Sequence, residues 1–390
     1  MRRPSPLIRR LFALLVLMAT FLIVLLAAST GWLDAFGGEP EGARLERMQR
    51  SARFFDGAFT NSAPARMIEA DADWFALLGE QLFGPQQRSP PFPIPLHDPR
   101  AELAQAPRSG LRVTWLGHST LFLELDGARI LTDPMFGQRA SPSSLVGPAR
   151  FHAPPLQLHE LPRPDAVVIS HDHYDHLDMH SIRALDAMKL PFFVPLGVGA
   201  HLEAWGVDPA RITELEWWQQ APVPGTDVQL VATPSQHFSG RALHDRDRTL
   251  WASWVIRGPA HRAFFSGDSG LAPEFPEIGA RHGPFDVIAL EVGAFHPSWG
   301  GIHLGPDQAL VAHGQLGGGK LLPIHWATFN LALHGWSEPL ERLWDEAARL
   351  GVPLLTPRVG APVEPPAPPP QEAWWRTPLQ RPLESGSALD

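Results

Sequence analysis

The chain has 390 residues, 44 % of them hydrophobic, with 42 prolines, no cysteine and a formal net charge of −9. That acidic balance excludes the clustered positive charge of a nucleic-acid footprint, so no nucleic-acid partner is expected. The missing thiols exclude disulfides and thiolate ligands, and any metal site must be built from His, Asp and Glu.

Arg2, Arg3, Arg9 and Arg10 precede an apolar run at 11–28 that only Thr20 interrupts. About 18 apolar residues stand on the border between a membrane span and a long signal-peptide core. The arginines stay cytoplasmic under the positive-inside rule. Residues 1–30 are therefore expected to anchor the protein in the inner membrane, with the rest on the outer, periplasmic side. Ala27-Ala28-Ser29 offers a cleavage site, and a cut there gives a secreted protein instead.

Residues 31–110 read as an approach segment packed on the following domain. It holds a short helical stretch near 70–83 with Trp74, Phe75, Leu77 and Leu78. The run Ser89-Pro90-Pro91-Phe92-Pro93-Ile94-Pro95 then forbids helix and predicts extended chain.

From 111 to 360 the pattern is dense. Short apolar, β-branched runs predict strands at 113–115, 121–125, 128–132, 166–169, 191–195, 229–233, 250–257, 262–265, 287–291, 321–324 and 353–355. Asp126-Gly127 marks a hairpin turn. Helices are expected from 179 to about 188, with Asp178 as cap, at 306–313 and at 338–350. Two runs of strands, each ending in helices, predict an α/β, four-layer αβ/βα sandwich. The proline-rich stretch 361–390 is expected to be a mobile tail.

The chemistry-bearing stretch is Ser170-His171-Asp172-His173-Tyr174-Asp175-His176, directly after the buried strand at 166–169. Three imidazoles and a usable carboxylate within six positions are the ligands that zinc and similar divalent metals take. Three more candidates sit at or just past predicted strand ends: His237 after 229–233, Asp268 after 262–265, and His325 after 321–324. Strand ends converging on one edge of the sheets are where α/β proteins place ligands.

His171-x-His173-x-Asp175-His176, followed by His237, Asp268 and His325, resembles the metallo-β-lactamase superfamily. The resemblance implies one zinc on His171, His173 and His237, and a second on Asp175, His176 and His325, with Asp268 bridging; iron or manganese are alternatives. Asp133 matches an early aspartate that orients ligands. Within the superfamily, Trp115-Leu116-Gly117-His118-Ser119-Thr120, Thr132-Asp133-Pro134-Met135-Phe136, Gln236-His237-Phe238-Ser239-Gly240-Arg241, Gly293-Ala294-Phe295 and Ile324-His325-Trp326-Ala327-Thr328-Phe329 resemble the branch of N-acyl-phosphatidylethanolamine-hydrolysing phospholipases D and their bacterial relatives. The likeness covers roughly residues 50–350. His303, in Gly301-Ile302-His303-Leu304, is similar to a histidine near the scissile phosphate in that branch.

The resemblance implies a zinc-dependent phosphodiesterase in which a metal-bridging hydroxide attacks the phosphorus of a membrane phospholipid. His303 and Asp268 are the candidate catalytic residues. Arg241 is a candidate for an anionic head group or for a structural ion pair, and His118 for substrate or for capping the turn after Trp115. A lactonase or other small-molecule hydrolase on the same fold is the alternative. A homodimer is left open.

Overall fold

A computed structural model describes residues 32–376, apart from Arg66, Ala70, Asp71 and Pro85, together with Leu15 and Met18. The remainder of the apolar run at 11–28 and residues 377–390 lie outside the described residues. Among those described, no helix is long and apolar enough to cross a membrane.

A small hairpin of β1 (Phe54–Phe55) and β2 (Ala58–Phe59) precedes two large sheets. The first takes β3 (Leu111–Trp115), β4 (Leu121–Leu125), β5 (Ala128–Thr132), β6 (Ala166–Val168), β7 (Phe192–Pro195) and β8 (Ile212–Leu215). The second takes β9 (Gln220–Pro222), β10 (Gln229–Thr233), β11 (Ser253–Arg257), β12 (Arg262–Phe265), β13 (Val287–Glu291) and β14 (Lys320–Ile324), after which β15 (Pro362–Val363) returns to the first. The spatial orders are β15-β3-β4-β5-β6-β7-β8 and β14-β13-β12-β11-β10-β9. Pairing is parallel along β5-β6-β7-β8 and along β12-β13-β14, and antiparallel elsewhere in both sheets.

Strand periodicity explains the layering. In β4, Leu121, Leu123 and Leu125 point into the core between the sheets, while Phe122 points to the outer face. Ala128 and Ile130 of β5 and Ala166 and Val168 of β6 face inward in the same way, and Leu131 and Val167 face outward. That outer face is covered by the helix Met179–Asp186 through Met179, Ile182 and Leu185. The second sheet is covered by helices including Phe275–His282, Gly305–Gln315 and Glu338–Leu350. The last buries Leu340, Leu343 and Ala347 at helical spacing and stops at Gly351, which has φ +71°. This is an α/β sandwich of two sheets between helical layers, as the sequence predicts.

Two expectations need correction. The stretch from 361 is packed as far as Arg376. Val363 pairs with Val113 of β3, and Trp374 and Trp375 are 3 % and 2 % exposed in the main core. Trp374 stacks on Trp326 at 5.3 Å, and the Trp375 indole donates to Glu341 at 2.9 Å. Two large aromatic rings bring enough apolar area to overcome the proline-rich composition before them. Residues 353–355 form no strand, only an isolated bridge between Leu321 and Leu354.

The approach segment is anchored by Met48, Phe59 and Ile94, all in the main core. One part of it stands apart. In the helix Trp74–Phe83, started by the Asp73 carboxylate accepting from the amides of Phe75 and Ala76, no residue is buried. Phe75 is 88 % and Phe83 84 % exposed, and Trp74, Leu78 and Leu82 are exposed beside them.

Candidate metal centre

Six strands deliver the candidate residues from their C-terminal ends: β5 gives Asp133, β6 the loop 170–176, β10 His237, β12 Asp268, β13 Glu291 and β14 His325. Close backbone approach makes this possible. Gly267, at φ +55°, lies where a Cβ would stand 2.3 Å from that of Ser170, so only glycine lets Asp268 come up against the loop. Gly293 likewise passes the His325 carbonyl, 2.0 Å from where its Cβ would be. Asp133, His118 and His325 adopt left-handed φ of 35°, 51° and 65°. Such strain persists where the surroundings over-determine it. Here the His325 amide is held by the His118 carbonyl at 3.0 Å, and the Asp133 amide by that of Val168 at 2.9 Å.

The donor atoms converge in three overlapping groups. His171, His173, His237 and Asp268 form the first, His118, Asp175, His176 and His325 the second, and Asp268, Glu291, His303 and His325 the third; within each group the atoms lie within 4.8 Å of one another. The first two hold all the ligands expected from the sequence, and Asp268 spans both. Its Oδ1 is 3.1 Å from His176 Nε2, and its Oδ2 is 3.1 Å from His325 Nε2, 3.7 Å from His237 Nε2 and 3.9 Å from His171 Nε2.

Hydrogen bonds on the far side of each ring assign the tautomers. His176 donates from Nδ1 to Asp133 at 2.6 Å, His237 from Nδ1 to the Ile302 carbonyl at 2.9 Å, and His171 from Nδ1 to the Ser170 hydroxyl at 2.9 Å. All three thus turn Nε2 to the centre, bare in His171 and His237 and facing Asp268 Oδ1 in His176. His173 presents Nδ1, which lies 2.9 Å from His171 Nε2 and 3.3 Å from His237 Nε2. His176 Nε2 and Asp268 Oδ1 are buried without a hydrogen-bond partner. Buried imidazole lone pairs and carboxylates pointed at one another are costly unless a cation sits between them. The residues present therefore fit divalent metal, with the first two groups placed to hold it.

Electrostatics separates the groups. Burial pushes His171 and His237 well below the ordinary imidazole range, and His173 below it. Burial also pulls His176 and His325 down, but for them the carboxylates win. Asp268, Asp175 and Asp133 raise His176 well above its ordinary value. Asp268, Asp175 and Glu291 raise His325 to about 10. In return, Asp268 and Asp175 are held well below the usual carboxylate range by the imidazoles beside them, against the upward push of burial.

His303 lies at the edge of the centre, its ring 5.1 Å from that of His237 and 5.5 Å from that of His325. Its Nδ1 is 2.7 Å from the Oε2 of Glu291, a residue that sequence reasoning placed only as the last position of a core strand. Glu291 is fully buried; its Oε1 accepts from the amides of Ser269 at 2.7 Å and Leu304 at 3.2 Å. A carboxylate ending an otherwise apolar buried strand is the signal that could have found it.

Both candidate substrate contacts are corrected. His118 is 1 % exposed; its Nε2 meets Asp175 at 2.9 Å, and its carbonyl accepts from the Trp115 indole at 2.8 Å. It orients a candidate ligand and caps the turn after Trp115, sealed from any substrate. Arg241 is 4 % exposed, and its guanidinium is consumed by backbone carbonyls: Ala35 at 2.7 Å, Asp172 at 2.5 Å and Leu177 at 3.0 Å. It ties the approach segment to the 170–176 loop, and burial against these carbonyls, not a head group, is its role.

Comparison with known proteins agrees with this architecture. A profile of the β-lactamase superfamily domain matches residues 128–326. The chain is 47 % identical over 362 residues to an uncharacterized protein of Mycobacterium tuberculosis, an alignment covering 90 % of this chain and 96 % of that one. It is 35 % identical over 261 residues to the N-acyl-phosphatidylethanolamine-hydrolyzing phospholipase D 1 of Caenorhabditis elegans, covering 64 % and 73 %. Among solved structures it is similar in fold to the isothiocyanate hydrolase from Delia radicum gut bacteria, with TM-score 0.53, 20 % identity, and coverage of 65 % and 98 %.

Proposed function

The chain belongs to the metallo-β-lactamase superfamily of metal-dependent hydrolases, and from that premise we propose that it is a phosphodiesterase of the phospholipase D type. Its substrate is N-acyl-phosphatidylethanolamine or a related phospholipid. The observation that carries the reading is the pair of donor groups sharing Asp268, with His303 at their open edge. When bound, two divalent ions, zinc in this proposal, supply Lewis-acid charge for phosphoryl oxygens and a water acidic enough to ionise near neutral pH.

The chain's own residues do the rest. Asp268 holds the two halves in one geometry, and Asp133, Ser170 and the Ile302 carbonyl fix the imidazole tautomers. Hydrolysis places the water oxygen on phosphorus and breaks the bond to the N-acylethanolamine oxygen. His303, raised above its ordinary value by Glu291 against the pull of burial, stands at the edge of the centre to return a proton to that leaving oxygen.

A lipid substrate is supported by the exposed apolar helix Trp74–Phe83 beside this edge. Glu80 of that helix meets His296 at 3.1 Å, and Trp299 three residues on stands 6.2 Å from His303. An apolar patch of this kind suits a bilayer surface, and the run at 11–28 would hold the domain there.

The test is turnover by the full chain on N-acyl-phosphatidylethanolamine vesicles beside a panel of lactones, with metal content measured and His171→Ala as control. Metal-dependent release of phosphatidic acid, with Phe75→Ser/Phe83→Ser raising KM on vesicles several-fold, is the expected result. Turnover of lactones alone would replace the reading with a small-molecule hydrolase.

A further inference from the structure

Glu291 ends β13 with its carboxylate in the wall of the metal centre, where it converges with Asp268, His303 and His325, although it is not among the ligands expected from the sequence. Its oxygens have separate tasks. Oε1 is occupied by two fixed donors, the amides of Ser269 and Leu304. Oε2 faces two imidazoles: Nδ1 of His303 at 2.7 Å and Nδ1 of His325 at 3.9 Å. His325 Nδ1 is buried and has no other partner among the described residues.

We infer that Glu291 is the positioning residue of the reaction: its carboxylate accepts a hydrogen bond from the Nδ1–H of His303 and turns that ring so that Nε2 faces the leaving oxygen. Three observations support the assignment. His303 retains 12 % side-chain exposure while Glu291 has none, so the dyad has a buried end and an open end. No described residue hydrogen-bonds His303 Nε2, which leaves that atom to the substrate. The backbone amides on Oε1 prevent the carboxylate from rotating, so the direction of Oε2 is set by the fold. The same oxygen is the nearest carboxylate acceptor for His325 Nδ1, which couples the proton-donating edge to the metal-binding floor.

The inference rests on the phosphodiesterase reading for its substrate, and Glu291→Gln separates the two. The amides of Ser269 and Leu304 require the glutamine oxygen on their side, so the NH2 group must face His303. Nδ1 then has to present a lone pair, and the orientation is lost. Two readouts follow. The ¹⁵N shift of His303 Nδ1, identified by its absence in His303→Ala, should move from the protonated to the bare type in Glu291→Gln. Turnover of N-acyl-phosphatidylethanolamine, whose N-acylethanolamine leaves as an alkoxide, should fall about 10- to 100-fold, while an aryl phosphodiester losing nitrophenolate, which needs no proton, should change less than about threefold. Glu291→Gln/His303→Ala should be no worse than His303→Ala alone, and metal content should be unchanged. Equal loss on both substrates with loss of metal would reduce Glu291 to a structural support and overturn the inference. A wild-type protein that cleaves neither phosphodiester would sink the proposed function, and an unmoved Nδ1 signal would independently sink the pairing.

Discussion

The two halves of the metal centre are built from the same residue types but prepared differently. His171 and His237 are backed by a hydroxyl and a backbone carbonyl, and burial pushes both, with His173, below the ordinary imidazole range. His176 and His325 are surrounded by Asp133, Asp175, Asp268 and Glu291, which raise both above the ordinary imidazole range against the pull of burial. The difference teaches that a ligand count does not describe a site. One half is ready for a cation, and the other holds protons that a cation must displace.

The largest effect should come from the residue common to both. Asp268→Asn removes the charge and replaces by an NH2 group one of the two oxygens that lie 3.1 Å from His176 and His325 and within 3.9 Å of His171 and His237. Activity should fall about a thousandfold, the several kcal/mol that misplaced metals withdraw from the transition state, and metal analysis should find both halves depleted. Retention of full metal content would show that the halves are independent.

Asp133→Asn comes next. Its carboxylate bonds His176 directly at 2.6 Å and the Ser170 hydroxyl at 2.6 Å, and through that hydroxyl it reaches His171. Loss of such a backing group weakens metal binding about 10- to 100-fold. Titration with a competing chelator should show the larger loss in the half that holds His176.

The protonation difference is testable without mutation. The raised values of His176 and His325 mean that metal entering their half expels protons at neutral pH, and its affinity should climb with pH from about 7 toward 10. The other three imidazoles are already neutral there, so the first equivalent should bind with little pH dependence. Calorimetry in two buffers of different ionisation enthalpy reads the proton count directly. Equal proton release for both equivalents would erase the distinction.

Much of this was legible in the sequence because the chemistry is local. The loop 170–176 follows a three-residue buried strand, and His237, Asp268 and His325 each stand at a strand end, where alternation and length betray the position. What escaped depends on contacts distant in sequence. Nothing near Arg241 announces that carbonyls of residues 35, 172 and 177 will take its protons. Glu291 lies 12 positions from His303, and its meaning appears only when β13 is placed beside β12 and β14. The same holds for Trp374, whose partner Trp326 lies across the core.

The smallest expected effect is also the sharpest test of the two-half description. Ser170 donates its hydroxyl to Asp133 Oδ2 and accepts from His171 Nδ1, while its backbone amide donates to Asp133 Oδ1 at 2.7 Å. Ser170→Ala removes the relay and keeps the amide bond, so Asp133 should stay in place behind His176. The bond that His171 loses is a neutral one to a hydroxyl, worth about 1 kcal/mol. The half containing His171 should therefore lose roughly fivefold in metal affinity, and the half containing His176 less than about twofold. Combined with Asp133→Asn, the His171 half should show little further loss, because both changes cut the same relay. Additive losses there would mean that His171 is held by something other than the Asp133–Ser170 chain.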